Sequence, residues 1–327
     1  MITAILDGNN LLYRIIKAKS YPELTSSEGL ETGGIYGTIQ SLHKIWNSIF
    51  PTYGILVFDG GLSDRRRALY PDYKKREETD EDAAAERRLF LQQKHYISEI
   101  MTHLGIPTIE LPGREADDII DFLAHWVMWR GGVQRVVIVS EDIDLCQIVE
   151  RSNDQCEIEL HRPIRDKIVT RHNAKETLGY PLEYYPWYKG LVGKPREVKG
   201  IEGVGEVTAV NLINAAHEKG ITLKELIQGR LDEGSKKPMK RLQTIIDNWV
   251  EVERGRKLSI IKMEKFETIE QQAMWATAMA AYDPDRIRDQ NIADVKEVLS
   301  KLDFLSILHM FDEWAQPFMA PYHSRKE

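Results

Sequence analysis

The chain has 327 residues, of which 42% are hydrophobic and 29% charged, with a net charge of −7. That profile fits a globular protein with room for two domains and excludes a disordered or collagen-like chain. Two cysteines, Cys146 and Cys156, exclude a disulfide framework and a Cys/His zinc spacing. No apolar run reaches membrane-spanning length, and the N-terminus enters a strand with no basic leader before it, so a cytoplasmic protein with no membrane contact is expected.

Strand-like runs fall at 2–7, 53–59, 106–111, 134–140 and 156–160, and helix-like segments at about 34–49, 84–104 and 115–130. This alternation predicts an α/β fold: a mainly parallel sheet with helices on both faces. The first run closes in DGNNLLYR (7–14), where Asp7 could also be an ordinary turn or cap residue. The second closes in VFDG, which supplies Asp59. A charged insertion follows at about 64–98. Its basic part, RRRALYPDYKKR, sets Arg65, Arg66, Arg67, Lys74, Lys75 and Arg76 against Asp72 alone. A long insertion between strands is commonly functional, although a basic run also serves as a plain solvated face.

GREADDII (113–120) places Glu115, Asp117 and Asp118 at a helix start. Capping and the helix dipole account for one or two acids there; three exceed that need. SEDIDLCQIV (140–149) follows a very apolar strand, and in an extended segment Asp142 and Asp144 point the same way. Beyond about residue 165 the pattern turns helical, with segments at 173–179, 182–192, 207–219 and 240–263. There GIEGVGEVTAVNLI (200–213) reads as a glycine hairpin feeding a helix. No strand precedes it, which excludes a dinucleotide fingerprint and favours a clamp on a nucleic-acid backbone.

In open α/β sheets, sites form outside the carboxyl ends of parallel strands. Acids from four segments therefore converge on one rim. Their mutual repulsion calls for cations, and carboxylate oxygens suit hard divalent ions. The chemistry expected is metal-dependent phosphodiester hydrolysis.

In order, these motifs resemble the 5′-nuclease family, which includes bacteriophage 5′-3′ exonucleases, the 5′-nuclease domain of bacterial DNA polymerase I and flap endonucleases. DGNNLLYR, TGGIYG (32–37), VFDG, the run from Arg66 through YPDYK, GREADD, SEDIDLCQIV, GIEGVGEVTA and LDFLSIL (302–308) carry the resemblance. It implies a PIN-like sheet under a helical arch, with residues 1–165 catalytic, the arch at about 64–98, and a helical DNA-binding part at 166–327 containing a helix–three-turn–helix at about 182–219. It implies two Mg²⁺ or Mn²⁺ ions, with Asp7, Asp59, Glu115 and Asp117 holding the first, Asp142 and Asp144 serving the second, and Asp118 nearby. Lys74 would touch the attacked phosphate. Arg66 and Arg76 would bind strand phosphates, and Tyr13 and Tyr36 would either stack on DNA or belong to the core. Gly203, Gly205 and Thr208 would meet the backbone at the hairpin, with K⁺ bound there. The implied partner is DNA with a 5′ flap or 5′ end, or an RNA/DNA hybrid, acted on by a monomer in a bacterial or phage-infected cell.

The chain departs from the family pattern in two places. Where the family has Gly-Asp-x-x-Asp-Asn before the hairpin, this chain reads GKPREVKG (193–200). Lys194 stands for the first acid and Glu197 is the candidate for the second, so the second metal site is expected to be weakened. Val207 replaces the hairpin lysine. Two other readings remain: a PIN-like ribonuclease, against which the insertion and hairpin argue, and a DNA-junction binder with weakened catalysis, against which the seven rim acids argue.

Overall fold

The computed structural model describes residues 1–21, 23–75, 81–195, 197–233, 239–262, 269, 272–273, 275–276 and 291–319. In chain order, strand β1 (Ile2–Asp7) leads to helices α1 (Gly8–Ala18) and α2 (Gly33–Ile49), then β2 (Tyr53–Gly60), α3 (Asp64–Leu69) and α4 (Glu81–His103). Next come β3 (Thr108–Pro112), α5 (Ala116–Arg130), β4 (Arg135–Val139), a 3₁₀ segment (Ile143–Arg151), β5 (Glu157–Arg162) and β6 (Lys167–Val169). The helical half holds α6 (Ala174–Leu178), α7 (Tyr185–Val192), α8 (Glu206–Lys219), α9 (Leu223–Asp232), α10 (Met239–Asp247) and α11 (Trp249–Ser259), followed by α12 (Ile292–Lys301), α13 (Leu305–His309) and α14 (Phe311–Met319).

The six strands lie in the order β3-β2-β1-β4-β5-β6. The first five pair in parallel and β6 pairs antiparallel with β5. The five strands anticipated from sequence are present, and β6 is an addition. It is short and half exposed, so it carries no apolar run to betray it.

The period of two separates the faces. Ile5, Ile55, Val57, Val136 and Ile138 pack with α5 in one core layer. Ala4, Leu6, Leu56, Phe58, Val137 and Val139 pack in the opposite layer with Leu11, Ile39, Trp46 and Ile100. Both faces are covered, so these strands are continuous apolar runs and not alternating ones.

α12 to α14 return to the sheet. Val295, Leu299, Phe311 and Phe318 belong to the second layer. α7 to α11 form a separate small core around Leu191, Leu212, Ile227 and Val252. In that core α7 and α11 touch through glycines: a Cβ on Gly190 would lie 2.4 Å from Val252 O, and one on Gly255 2.9 Å from Gly190 Cα.

Candidate active site

Asp7 ends β1 and caps α1, accepting from Asn10 N at 3.0 Å and from Ser140 Oγ at 2.7 Å. Asp59, near the end of the neighbouring strand, accepts from Ala116 N at the start of α5 at 2.6 Å and from Asn9 Nδ2, also at 2.6 Å. Asn9 Oδ1 in turn accepts from Asp59 N at 2.9 Å, which clips the two strand ends together. Burial pushes the Asp7 carboxyl up to about 7, against its two hydrogen bonds and with help from the charges of Asp59 and Asp142. Burial likewise raises Asp59 to about 6, opposed by the Ala116 amide and Lys74 and reinforced by Glu115 and Asp117.

Glu115 and Asp117 are differently placed, because cations from the insertion reach them. The Arg66 guanidinium pairs with Glu115 and grips Asp117 at 3.1 and 2.8 Å. Tyr73 Oη donates to Glu115 at 3.1 Å and Lys74 Nζ at 3.0 Å. At Asp117 burial favours the neutral acid, but the Arg66 charge and hydrogen bonds outweigh it and hold the carboxyl below its ordinary value. Lys74 has a left-handed backbone (φ 51°), an uncommon conformation for a side-chain-bearing residue. Beneath it Tyr73 is buried against Val198 and Leu258, which ties the base of the insertion to the helical half.

A cleft of about 750 Å³ opens over these groups. The acids Asp7, Asp59, Glu115, Asp117, Asp142 and Glu197 line it, together with Arg14, Lys17, Lys74, Lys75 and Arg87. Arg14 Nη1 is buried with no hydrogen-bond partner among the described residues. Tyr13 also faces the cleft, stacked 4.0 Å from Phe90.

Several expectations are corrected. The segment after β4 is a 3₁₀ turn and not the extended stretch expected for Asp142 and Asp144: Asp142 caps it, Asp144 N donates to Asp142 Oδ1 at 2.9 Å, and the two side chains meet at Lys194 Nζ, at 3.3 and 2.9 Å. Asp142 lines the cleft. Asp144 is not among the residues that line it and is held by Lys189 and Lys194, both at 2.9 Å, and by Tyr185 Oη. Burial would raise Asp144, but the two lysines bring it well below the carboxylate range.

Asp118 is buried on the far side of Arg66, where it accepts from Lys262 N at 3.1 Å and lies 3.7 Å from Arg65. Burial and the neighbouring Asp117 raise it to about 7. Arg66 is only 2% exposed, and its guanidinium faces three acids. Arg76 lies outside the described residues. Tyr36 packs edge-on against Tyr21 and Phe304 in the second core layer, away from the acids that line the cleft. At the hairpin, Gly203 and Gly205 are exposed, Gly205 caps α8 and Thr208 is half-buried.

Among the described residues no three His, Cys, Asp or Glu side chains are drawn together as a closed metal cage. The physical reason is visible: Arg66, Lys74 and Lys194 each draw carboxylates toward themselves. Sequence reasoning missed Asn9, Asn10, Ser140, Arg14 and Tyr185. The first four sit inside or beside quoted motifs, but only the tertiary contacts reveal their partners.

Carboxylates at the carboxyl edge of a parallel sheet, faced by lysines and arginines, define an acid-centred nuclease class. The chain belongs to the 5′-3′ exonuclease family: the family model described as "5′-3′ exonuclease, N-terminal resolvase-like domain" matches residues 3–179. A 5′-3′ exonuclease of Aquifex aeolicus (strain VF5) is 36% identical over 210 residues, covering 64% of this chain and 68% of that one. A DNA polymerase I of Caldicellulosiruptor bescii is 30% identical over 260 residues; the match takes in 75% of this chain but only 29% of the polymerase. Among solved structures, an aspartate-to-lysine variant of the bacteriophage T5 D15 flap endonuclease, in a pseudo-enzyme–product complex with DNA and metal ions, shares the fold. Its TM-score is 0.59 at 18% identity, over 93% of this chain and all of that one.

Proposed function

We propose that this chain is a structure-specific 5′ nuclease that cuts DNA at a 5′ end or flap with the help of Mg²⁺ or Mn²⁺. The cleft that joins five rim acids, Asp7, Asp59, Glu115, Asp117 and Asp142, to a wall of basic side chains carries this reading. Asp7, Asp59, Glu115 and Asp117 would hold a divalent ion. The fit rests on donor chemistry: all four offer hard oxygens, and the hydrogen-bond donors to Asp7 and Asp59 among the described residues are neutral, which leaves two buried acids short of positive charge. A bound ion supplies a water of lowered pKa and offsets charge on the phosphate.

The chain's own groups do the rest. Arg14, Lys17, Lys75 and Arg87 would take up phosphates of the incoming strand. Lys74, already aimed into the cleft, would move from Glu115 to the scissile phosphate and stabilise the charge that develops there. Asn9 holds Asp59 in place, and Ser140 holds Asp7. Residues 1–165 would carry the chemistry and 166–327 the duplex grip, with the exposed turn at Gly203 and Gly205 presenting backbone amides, and K⁺ beside it, to a phosphate. A monomer acting in the cytoplasm is the simplest form of this reading. Among the described residues no helix is long and apolar enough to cross a membrane.

The test is a panel of 5′-flap DNA, single-stranded RNA and blunt duplex with Mg²⁺ or Mn²⁺. Flap cleavage near the junction, abolished in Asp117→Asn while flap binding persists, is expected. Cleavage of RNA alone would replace the proposal with a ribonuclease. Tight flap binding without cutting would replace it with a junction binder.

A further inference from the structure

Two groups of acids at this rim differ in how their charge is met, beside Glu115 and Asp117, which pair with Arg66 and Lys74. Asp7 and Asp59 receive hydrogen bonds from neutral donors only, among the described residues. Asp142, Asp144 and Glu197 surround an ammonium: Lys194 Nζ lies 3.3 Å from Asp142 Oδ2, 2.9 Å from Asp144 Oδ2 and 3.2 Å from Glu197 Oε2. Two of the three ammonium protons are donated to Asp142 and Asp144, and Glu197 completes the set as an ion pair.

We infer that Lys194 is a built-in second cation of this active site, standing among Asp142, Asp144 and Glu197 where a second divalent ion would otherwise bind, so that the chain works with a single exchangeable metal. This rests on the proposed metal-dependent reading and deepens it.

The placement is constructed and not a chance surface pairing. Lys194 N donates to Val198 O at 2.8 Å and Lys194 O accepts from Val198 N at 2.9 Å and Glu197 N at 3.0 Å, a closed turn that fixes the root of the side chain. The turn begins at Gly193, whose φ of 84° and close approach to Gly200 admit no side chain. Asp144 is further occupied by Lys189 and by Tyr185 Oη. A divalent ion entering this set would have to displace Lys194 and face Lys189 across the same carboxylate. The ammonium, 28% exposed at the side chain, keeps donor capacity toward a phosphate oxygen in the cleft it lines.

The experiment is a Mn²⁺ titration of the metal-stripped full chain, with free Mn²⁺ read by electron paramagnetic resonance and heat by calorimetry. One ion per chain is expected for the wild type and two for both Lys194→Asp and Lys194→Met, with Mn²⁺ raising the melting temperature of either variant more than that of the wild type. Two ions in the wild type overturn the inference, as does a single ion in both variants. Should neither variant fold, the wild-type stoichiometry decides alone. Absence of any Mn²⁺ binding would instead bring down the broader metal-dependent reading, and this inference with it.

Discussion

Arg66 grips Asp117 through two hydrogen bonds of 3.1 and 2.8 Å from a guanidinium that is 2% exposed. The same guanidinium pairs with Glu115 and Asp118, so one side chain of the insertion contacts all three acids at the start of α5. The insertion is thus part of the catalytic rim and not only a cover over it.

Replacing Arg66 by Met is expected to cost about 3–5 kcal/mol of stability, the usual range when one partner of a buried ion pair is removed. Lysine should restore little, because it lacks the planar fork that spans both oxygens of Asp117. Urea unfolding in EDTA measures the loss, and added Mg²⁺ should recover part of it by supplying another cation. An unchanged midpoint would show that Arg66 does not support the rim.

Lys74→Ala is expected to lower kcat by roughly 10²–10³-fold, as for loss of one preorganised charge at a reacting oxygen, with a smaller effect on DNA affinity. Single-turnover rates beside equilibrium binding separate the two. Equal losses would reduce Lys74 to a phosphate anchor.

The acids make stability and metal binding run in opposite senses with pH. Asp7 at about 7 and Asp59 at about 6 lie above the carboxyl value of about 3.9 in an unfolded chain. Between these values the folded, metal-free protein binds protons that the unfolded chain has released. This contribution is complete below about pH 4 and is lost as pH rises through 6 and 7. Asp117 and Asp144, shifted downward, act the other way, but only at lower pH. Melting temperature in EDTA should therefore fall between pH 5 and pH 8. Mg²⁺ affinity should rise over the same interval, with proton release visible by calorimetry in two buffers. A flat EDTA profile would contradict the burial of these acids.

Gly190→Ala should push α7 off α11, since its Cβ would stand 2.4 Å from a backbone oxygen. Overpacking of this kind costs about 1–3 kcal/mol. Because α7 carries Tyr185 and Lys189, both on Asp144, the variant should also lose DNA cleavage more than its stability loss explains. Chemical denaturation and turnover at a temperature well below melting test the two parts.

Much of the architecture was legible because the strands are apolar on both faces. Runs such as RVVIV and YGILVF announce a buried parallel sheet, and an acid at the end of each is conspicuous. The helix after Asp7 was less so, because GNNLLYR opens with residues that favour turns, and the amphipathic face of α1 emerges only over its full length. The 3₁₀ turn that carries Asp142 and Asp144 was not legible, because acids spaced by two read equally as strand or turn; the two side chains still meet at Lys194. The burial of Arg66 was not legible, because a basic run looks the same whether it is solvated or folded inward.

The sequence by itself determined which segments become strands and helices, and that acids from distant stretches meet at one edge, since periodicity and strand ends are local properties. Only the tertiary structure decided which cation faces which acid: Arg66 on Glu115, Asp117 and Asp118, and Lys194 on Asp142, Asp144 and Glu197. Apart from the i,i+3 pair of Lys194 and Glu197, this electrostatic pairing depends on separations of a few ångströms between residues 49 to 52 positions apart, and no local pattern encodes them.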